Sequence, residues 1–392
     1  MAHELELRIF ELMKKYIFLF LMISVPAFAQ IDYSFSGYVA DMPIYSKNNP
    51  DLARLFSYPN NQFINLTRVR LRPEVYLWSG ARLNMEYEAD ALYSPQNVSV
   101  LFNEINTNRQ VFNLKWNIVD KENLNILHYI DRLYMRQGFS WGNIIVGRQR
   151  IAWGVGRVWS PTDLFNPINP ANFSKIEKDG ADAASLTYYL GNFTDLNLVY
   201  NPQEKIENSN YGFRFRTNVM EYDLAFVGGY FDNRVILGGD FAGNFFDAGI
   251  RGEGIISMDK NNLRNNYTKI VFGMDNQFTS KLYALFEYQY NGQGATDKLK
   301  YDFTGLIDGR LLNLSRNYLY VSGTYQLAPL LSLTLAENSN LNDGSGFAMV
   351  GGTYSLSNNA TLDLGSLITY GNKYTEYWYY PTSYYLQCQY FF

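Results

Sequence analysis

Cys388 is the one cysteine of the chain, and His3 and His128 are its two histidines. A single thiol closes no internal disulfide, and no cysteine-rich metal site can be assembled from it. The sequence also lacks a Walker-type phosphate loop, a haem-attachment motif and any carboxylate group with metal-ligand spacing, so no cofactor and no metal are expected. Charge of one sign is scarce too: the formal net charge is -4, which offers nothing to nucleic acid. After an N-terminal apolar stretch no second run long enough for a spanning helix follows, which excludes a helical membrane protein. Internal repeats and linker-like segments are missing as well, so a single domain follows the leader.

What is present is alternation. From Leu66 to Leu77, Thr67, Val69, Leu71, Pro73, Val75 and Leu77 share one face of a strand, and Arg68, Arg70, Arg72 and Glu74 share the other. After Trp78-Ser79-Gly80 the pattern resumes, with Ala81, Leu83, Met85, Tyr87, Ala89 and Ala91 against Arg82, Asn84, Glu86, Glu88 and Asp90. A three-residue loop, with Gly80 in the left-handed conformation, sets Leu77 opposite Ala81. Arg72 then faces Glu86, Arg70 faces Glu88 and Arg68 faces Asp90, so the charged face cancels across the hairpin. A two-residue loop would mix the faces. Such a sheet suits water on one side and a core on the other, so the hairpin alone does not decide between a soluble protein and a membrane protein.

The two ends decide. Lys14-Lys15 precede the apolar run Tyr16 to Ile23, and Ala27-Phe28-Ala29 makes a small-residue cleavage site, so residues 1–29 read as a signal peptide, with Met13 as the natural start. At the other end, Tyr384, Leu386, Cys388, Tyr390 and Phe392 alternate with Tyr385, Gln387, Gln389 and Phe391. This tail resembles the C-terminal signal by which bacterial outer-membrane barrels are recognised by their insertion machinery, with Tyr390 and Phe392 in the signal positions. Aromatic residues make up 17% of the chain, enough for girdles at two membrane interfaces, while alternation keeps the mean hydropathy at -0.23.

Alternating segments continue at Ile31–Asp41, Ile126–Gln137, Asn143–Ala152 and Ala183–Leu190, and on through Tyr384–Phe392. They predict an all-β fold: a closed antiparallel transmembrane β-barrel of about eighteen strands, with sixteen as the alternative. Connections alternate in length. Those near Trp78-Ser79-Gly80, Gly191-Asn192, Met220-Glu221 and Thr279-Ser280-Lys281 are short turns; 42–62, 92–125, 153–182 and 292–317 are long loops; Asp232-Asn233 breaks the phase. Val111–Trp116 is either an extra strand or part of a loop. Apolar faces meet lipid and polar faces line the inside, because an ionised side chain at the bilayer centre costs roughly 2–4 kcal/mol. At this strand number a barrel is wide enough for an aqueous channel.

Parity places Arg68, Arg70, Arg72, Arg82, Arg132, Arg136, Arg214, Arg216 and Arg251 inside, with Glu74, Glu86, Glu88, Asp90, Asp247, Glu253, Asp275 and Glu287. Mixed ladders cancel at a distance and leave local transverse fields. They either brace the wall or select a solute, and the residue types fit both. The segment Val146 to Pro170 carries Gly147-Arg148-Gln149-Arg150, then Trp153, Gly154, Gly156, Arg157, Trp159 and Asp163, a density of Gly, Trp and Pro that suits a packed loop. It resembles the glycine-arginine-glutamine segment of porin-like outer-membrane families, including alginate-export-like channels. By analogy with porin loops, Trp153–Asp182 is expected to fold inward and narrow the lumen, with Arg148, Arg150, Arg157 and Asp163 near the constriction; the alternative is that Trp153, Trp159 and Phe165 only pack the loop to the wall. Parity leaves the facing of Arg148 and Arg150 open.

The functional expectation is an outer-membrane porin-like channel of a Gram-negative cell, passing hydrophilic or charged solutes, a polysaccharide among them. Its partners are then outer-membrane lipid, the insertion machinery and the solute. The alternative is a scaffold or sheath for a partner protein or surface polysaccharide. A barrel hydrolase ranks last: after the leader only His128 remains as a candidate base, and no catalytic residue is assigned.

Overall fold

Wherever apolar and polar residues alternate over eight or more positions, the chain runs as strand. The computed structural model describes residues 32–57, 59–96, 109–166, 177–307 and 311–392; the expected leader and residues 167–176 of the long central loop lie outside them. β1 (Tyr33–Lys47), β2 (Asn61–Trp78), β3 (Ala81–Tyr93), β4 (Lys115–Lys121), β5 (Leu124–Phe139) and β6 (Gly142–Gln149) form the first third. β7 (Ala181–Tyr189), β8 (Asp195–Asn201), β9 (Asn210–Val219), β10 (Tyr222–Phe231), β11 (Arg234–Phe245) and β12 (Ala248–Asp259) follow. β13 (Tyr267–Gln277), β14 (Leu282–Asn291), β15 (Asn317–Ala328), β16 (Leu331–Asn340), β17 (Ser345–Ser357), β18 (Ala360–Tyr370) and β19 (Thr382–Phe391) complete the chain.

Each strand pairs antiparallel with the next, except that β3 pairs with β5, and β19 returns to β1 and shuts the ring. β4 pairs only with the Leu124–Tyr129 half of β5, on the edge that β6 takes further along, from Leu133 to Phe139. Eighteen strands therefore make the closed wall and β4 is a nineteenth beside it. The extra strand expected near Val111–Trp116 begins only at Lys115. Closure ends on the last residue: Phe392 N donates to Gly37 O (3.1 Å), Gly37 N donates to Phe392 O (3.0 Å), and the Phe392 ring stacks on Phe35 at 5.9 Å.

The alternation of connection lengths holds around the ring except at β10–β11, where Asp232-Asn233 is as short as the turn before it. Met220 and Glu221 both take positive φ (51° and 67°), as do Asp232 and Asn233 (51° and 64°), the geometry that joins twisted strands by two residues. The β2–β3 hairpin keeps the expected register, with Arg70 opposite Glu88 and Arg68 opposite Asp90, but reaches it differently. Trp78 pairs with Ala81 across a two-residue Ser79-Gly80 turn, and the extra residue, Leu77, is absorbed by a shift in register just before it. Gly80 takes the expected left-handed φ of +78°.

Faces separate cleanly. On β13, Ile270, Phe272 and Met274 are 48%, 43% and 43% exposed, while Val271 between them is 1% exposed. In the closed ring of eighteen each strand is paired on both sides, so this outward apolar set of β13 can meet hydrocarbon without an unsatisfied backbone group. A second register shift bends the pattern in β5: Glu86 pairs with Arg132 and Tyr87 with Ile130, leaving Asp131 as the extra residue. Arg132 and Asp131 consequently both reach the buried side, and beyond the shift Tyr129 points in while His128 points out.

Candidate functional site

Two charged regions line the inward face, and a loop is strung between them. The first is built by β2, β3 and β5. Arg70, 2% exposed, meets Glu88 at 2.5 Å and Glu86 at 2.6 Å and also pairs with Asp131. Arg68 meets Asp90 at 2.7 Å and Glu88 at 3.0 Å, and Arg82 meets Glu74 at 2.8 Å. Arg132 meets Glu86 at 2.8 Å and Glu177, from the loop before β7, at 3.2 Å. Arg72 keeps the partner that cross-strand register assigns to it, Glu86, at 3.5 Å and also pairs with Glu177. Opposite charges interleaved at this burial satisfy one another's hydrogen bonds, so removal of one member strands the rest.

The second region lies on β12 and β14, and there the carboxylates bind backbone. Glu287, fully buried, accepts N–H from Arg157 (2.7 Å), Val158 (2.9 Å) and Trp159 (2.7 Å). Glu253 accepts N–H from Gly156 (2.7 Å), Val155 (3.3 Å) and Thr162 (3.1 Å), with Ser160 Oγ at 3.2 Å and Thr162 Oγ1 as further donors. Consecutive N–H groups converging on one anion form a concave nest, and charged acceptors strengthen each bond. The Gly-Val-Gly run makes the approach possible. A Cβ on Gly154, whose φ is +85°, would stand 2.0 Å from Ser160 Oγ and 2.7 Å from Glu253 Oε2; one on Gly156 would stand 1.9 Å from Trp159 O.

Aromatic side chains fix the loop between its anchors. Trp153 lies edge-on to Phe165 at 5.0 Å, Phe165 to Phe231 of β10 at 5.0 Å, and Trp153 Nε1 donates to Asn197 of β8 at 3.0 Å. Trp159 packs among Val271, Tyr318, Phe347, Leu367 and Tyr377, so it joins β13, β15, β17 and β18 to the loop before β19. Asp163 pairs with Lys178 and accepts the N–H of Asn166 at 3.2 Å, tying the outgoing arm of the loop to its return. Burial pushes the Asp163 carboxyl up to about 6, against the pull of Lys178, the Asn166 N–H and Arg150. Outside the wall strands, Glu376 accepts from Leu314 N (3.0 Å), Asn340 Nδ2 (2.8 Å) and Tyr318 Oη (2.5 Å). Burial pushes its carboxyl up to about 7.

The sequence-selected residues do not all gather. Arg157, Trp153, Trp159 and Asp163 belong to the anchored segment, and Arg150 is exposed near Asp163. Arg148 stands apart. It lies on the opposite parity from Gly147 and Gln149, meets Asp182 at 2.7 Å, and donates to the backbone oxygens of Ile130 (3.1 Å) and Phe112 where the β4 segment replaces β6 beside β5. Asp182 in turn accepts from Val111 N and Phe112 N at 2.7 and 2.9 Å, so this pair holds a splice in the wall. Arg214 pairs with Asp240 at 2.9 Å, Arg251 with Asp275 at 2.6 Å and Arg216 with Asp195 at 2.5 Å, whereas Arg136 sits half-buried opposite Arg82. Tyr390 and Phe392 are exposed on the outer face. His128 is outside as well, its Nδ1 3.1 Å from Tyr87 Oη and its ring 5.3 Å from Trp116. Asp131, Glu177, Asp182 and Glu376 were not singled out beforehand. The first is revealed only by the register shift, and the others lie in connections or at a strand end, where parity says nothing.

No protein-family model and no curated protein sequence matches the chain, so membership of the alginate-export-like group is not shown. Solved structures do match. Acinetobacter baumannii OccAB3 is similar with a TM-score of 0.54 at 9% identity, over 92% of this chain and 99% of that one. The porin of Rhodopseudomonas blastica, as a triple mutant, gives 0.49 at 8% identity over 92% and 100%; Salmonella typhi OmpF, in complex with daunomycin, gives 0.46 at 7% over 92% and 97%. What the chain shares with OccAB3 is architecture over nearly the whole length of both: it has the fold of a porin-like closed β-barrel.

Proposed function

We propose that this chain is an outer-membrane channel for small hydrophilic or charged solutes, a glycan among them, and that the loop of residues 150–180 sets its constriction. The observation that supports the reading most is the loop itself: one arm is held by Glu253 and Glu287, and its return places Glu177 on Arg72 and Arg132 of the facing ladder. A segment tied to opposite parts of a ring crosses the space between them. On this reading Arg68, Arg70, Arg72, Arg82, Arg132, Arg136, Arg214, Arg216 and Arg251 with their acidic partners line the lumen, residues 1–29 are a cleaved export signal, and Tyr390 and Phe392 address the insertion machinery. The hydrogen-bond partner of His128 is Tyr87 rather than a serine, so a channel fits better than a hydrolase.

Planar-bilayer recording of the purified chain tests it. Stable conductance steps that grow when Glu253 and Glu287 are both replaced by Ala support a channel with an anchored constriction. Silence from both proteins sinks it. A second reading, a closed scaffold for a partner, draws on the cluster of Trp159, Tyr318, Phe347 and Tyr377, which fills part of the interior with rings. Silence in both proteins together with a co-purifying partner or polysaccharide selects it.

A further inference from the structure

Below the anchored loop, toward the short-turn end, lies a cavity of about 500 Å³ with mostly polar walls. That size falls in the ~300–1,000 Å³ range of small-molecule sites. On its side toward the loop it carries Arg157 and Arg251. Arg157 has its backbone clamped by Glu287, which fixes where its side chain emerges, and among the described residues its guanidinium makes no ion pair. Arg251 is 6% exposed; its Nη2 is committed to Asp275 at 2.6 Å, but its Nη1 is a buried donor with no partner. Asp275 uses its other oxygen to accept from Tyr283 Oη at 2.5 Å. The mouth has the opposite character. Glu221 and Asp247 sit at the short turns and form no salt bridge among the described residues, and Asp223 accepts only the amide of Asn218 at 2.9 Å.

A pocket for a simple anion would not be rimmed by unpaired carboxylates, and one for a simple cation would not end on an unsatisfied guanidinium. Both poles are provided for when the solute carries both charges. We propose that this cavity is a binding subsite for a small zwitterionic solute, of amino-acid to dipeptide size, its carboxylate on Arg157 and Arg251 and its ammonium group toward Asp223 and Asp247. The inference rests on the channel reading for its route of access, and it names the solute class that reading leaves open.

The test is a saturation-transfer NMR titration of the detergent-solubilised full chain with three probes: L-glutamine, N-acetyl-L-glutamine, which keeps only the anion, and L-glutamine methyl ester, which keeps only the cation. L-Glutamine is expected to bind saturably and about tenfold more tightly than either analogue, the effect of one charge-assisted contact. Arg157→Gln and Asp247→Asn, both at exposed side chains, are each expected to weaken it about tenfold. Equal affinity for all three probes, absence of saturation, or an unchanged affinity in both variants overturns the site. Uptake of L-glutamine into proteoliposomes separates the two ideas. Saturable binding without uptake upholds the subsite and removes the channel; uptake without saturable binding removes the subsite and keeps the channel.

Discussion

The wall of β2, β3 and β5 and the wall of β12 and β14 carry the same kinds of charged residue and use them differently. In the first, side chain neutralises side chain: Arg70 is shared among Glu86, Glu88 and Asp131, and Arg68 between Glu88 and Asp90. In the second, Glu253 and Glu287 receive backbone N–H groups from a loop about a hundred residues earlier in the chain. Ionic pairs between fixed strands brace the wall. Carboxylates that grip a loop decide where that loop sits, and a loop can let go without the wall failing. On the proposed channel reading the first region mainly braces the wall and the second mainly holds the loop, although composition makes them look alike.

The largest expected effect tests the bracing side. Arg70→Ala leaves Glu86, Glu88 and Asp131 facing one another in a buried site, and removal of one partner from such a cluster costs about 3–5 kcal/mol. Urea unfolding in detergent should show the loss, with little change in conductance among the molecules that remain folded. If Arg70→Ala enlarges conductance as much as removal of the glutamate anchors does, the division between the two walls is wrong.

Next comes pH. The Glu376 carboxyl is held at about 7, above its ordinary 4.5, because burial disfavours its charge. Folding then binds its proton more tightly than the unfolded chain does. The contribution is complete below about pH 4.5 and is lost as pH rises to 7, amounting to about 3 kcal/mol. Stability should fall between pH 5 and 8, and Glu376→Gln, which keeps the neutral form, should flatten that slope. A slope unchanged in the variant would assign the pH dependence to other groups, Asp163 among them.

The first wall was legible in the sequence and the second was not, for a physical reason. Strand pairing has period two and a fixed register, so Arg68, Arg70 and Arg72 were read correctly against Asp90, Glu88 and Glu86, although the three-residue loop assumed for it is a two-residue turn with Leu77 as an extra residue. Even there a local irregularity intervened: the shift at Asp131 turned an outward position inward, and Arg72 gained Glu177 beside Glu86. Parity placed Glu253 and Glu287 on the inner face as strand positions, yet their partners are peptide groups, which every residue carries and no pattern marks. Gly154 and Gly156 were the available signal, since paired glycines beside a tryptophan allow backbone to approach an anion closely. Arg148 shows the opposite failure: a motif drew it toward the constriction, while its partner Asp182 stands directly across from it on β7 and the segment before β4 accepts from it through Phe112 O.

The loop-holding side should respond more gently. Glu287→Gln replaces one acceptor oxygen by an amide that must face N–H groups of Arg157, Val158 and Trp159. One stranded donor costs about 1–3 kcal/mol, which loosens the loop without unfolding the barrel. Single-channel recordings should show longer or larger open levels, and limited proteolysis should cut near Trp153–Trp159 sooner than in the parent chain. An unaltered current trace alongside normal folding would mean that the anchored arm does not set the conducting width.

Arg216 provides the smallest expected effect and the sharpest control. Its pair with Asp195 at 2.5 Å resembles the bracing pairs in distance, but the Arg216 side chain is 49% exposed, where the Arg70 side chain is 3% exposed. Water and salt screen the exposed pair, and such pairs contribute about 0–1 kcal/mol. Arg216→Ala should accordingly leave the unfolding midpoint nearly in place, while Arg70→Ala moves it strongly, in the same detergent and at the same ionic strength. Equal losses from the two variants would mean that burial is not what distinguishes the β2–β3–β5 wall, and the bracing role would then belong to any charged pair on the barrel.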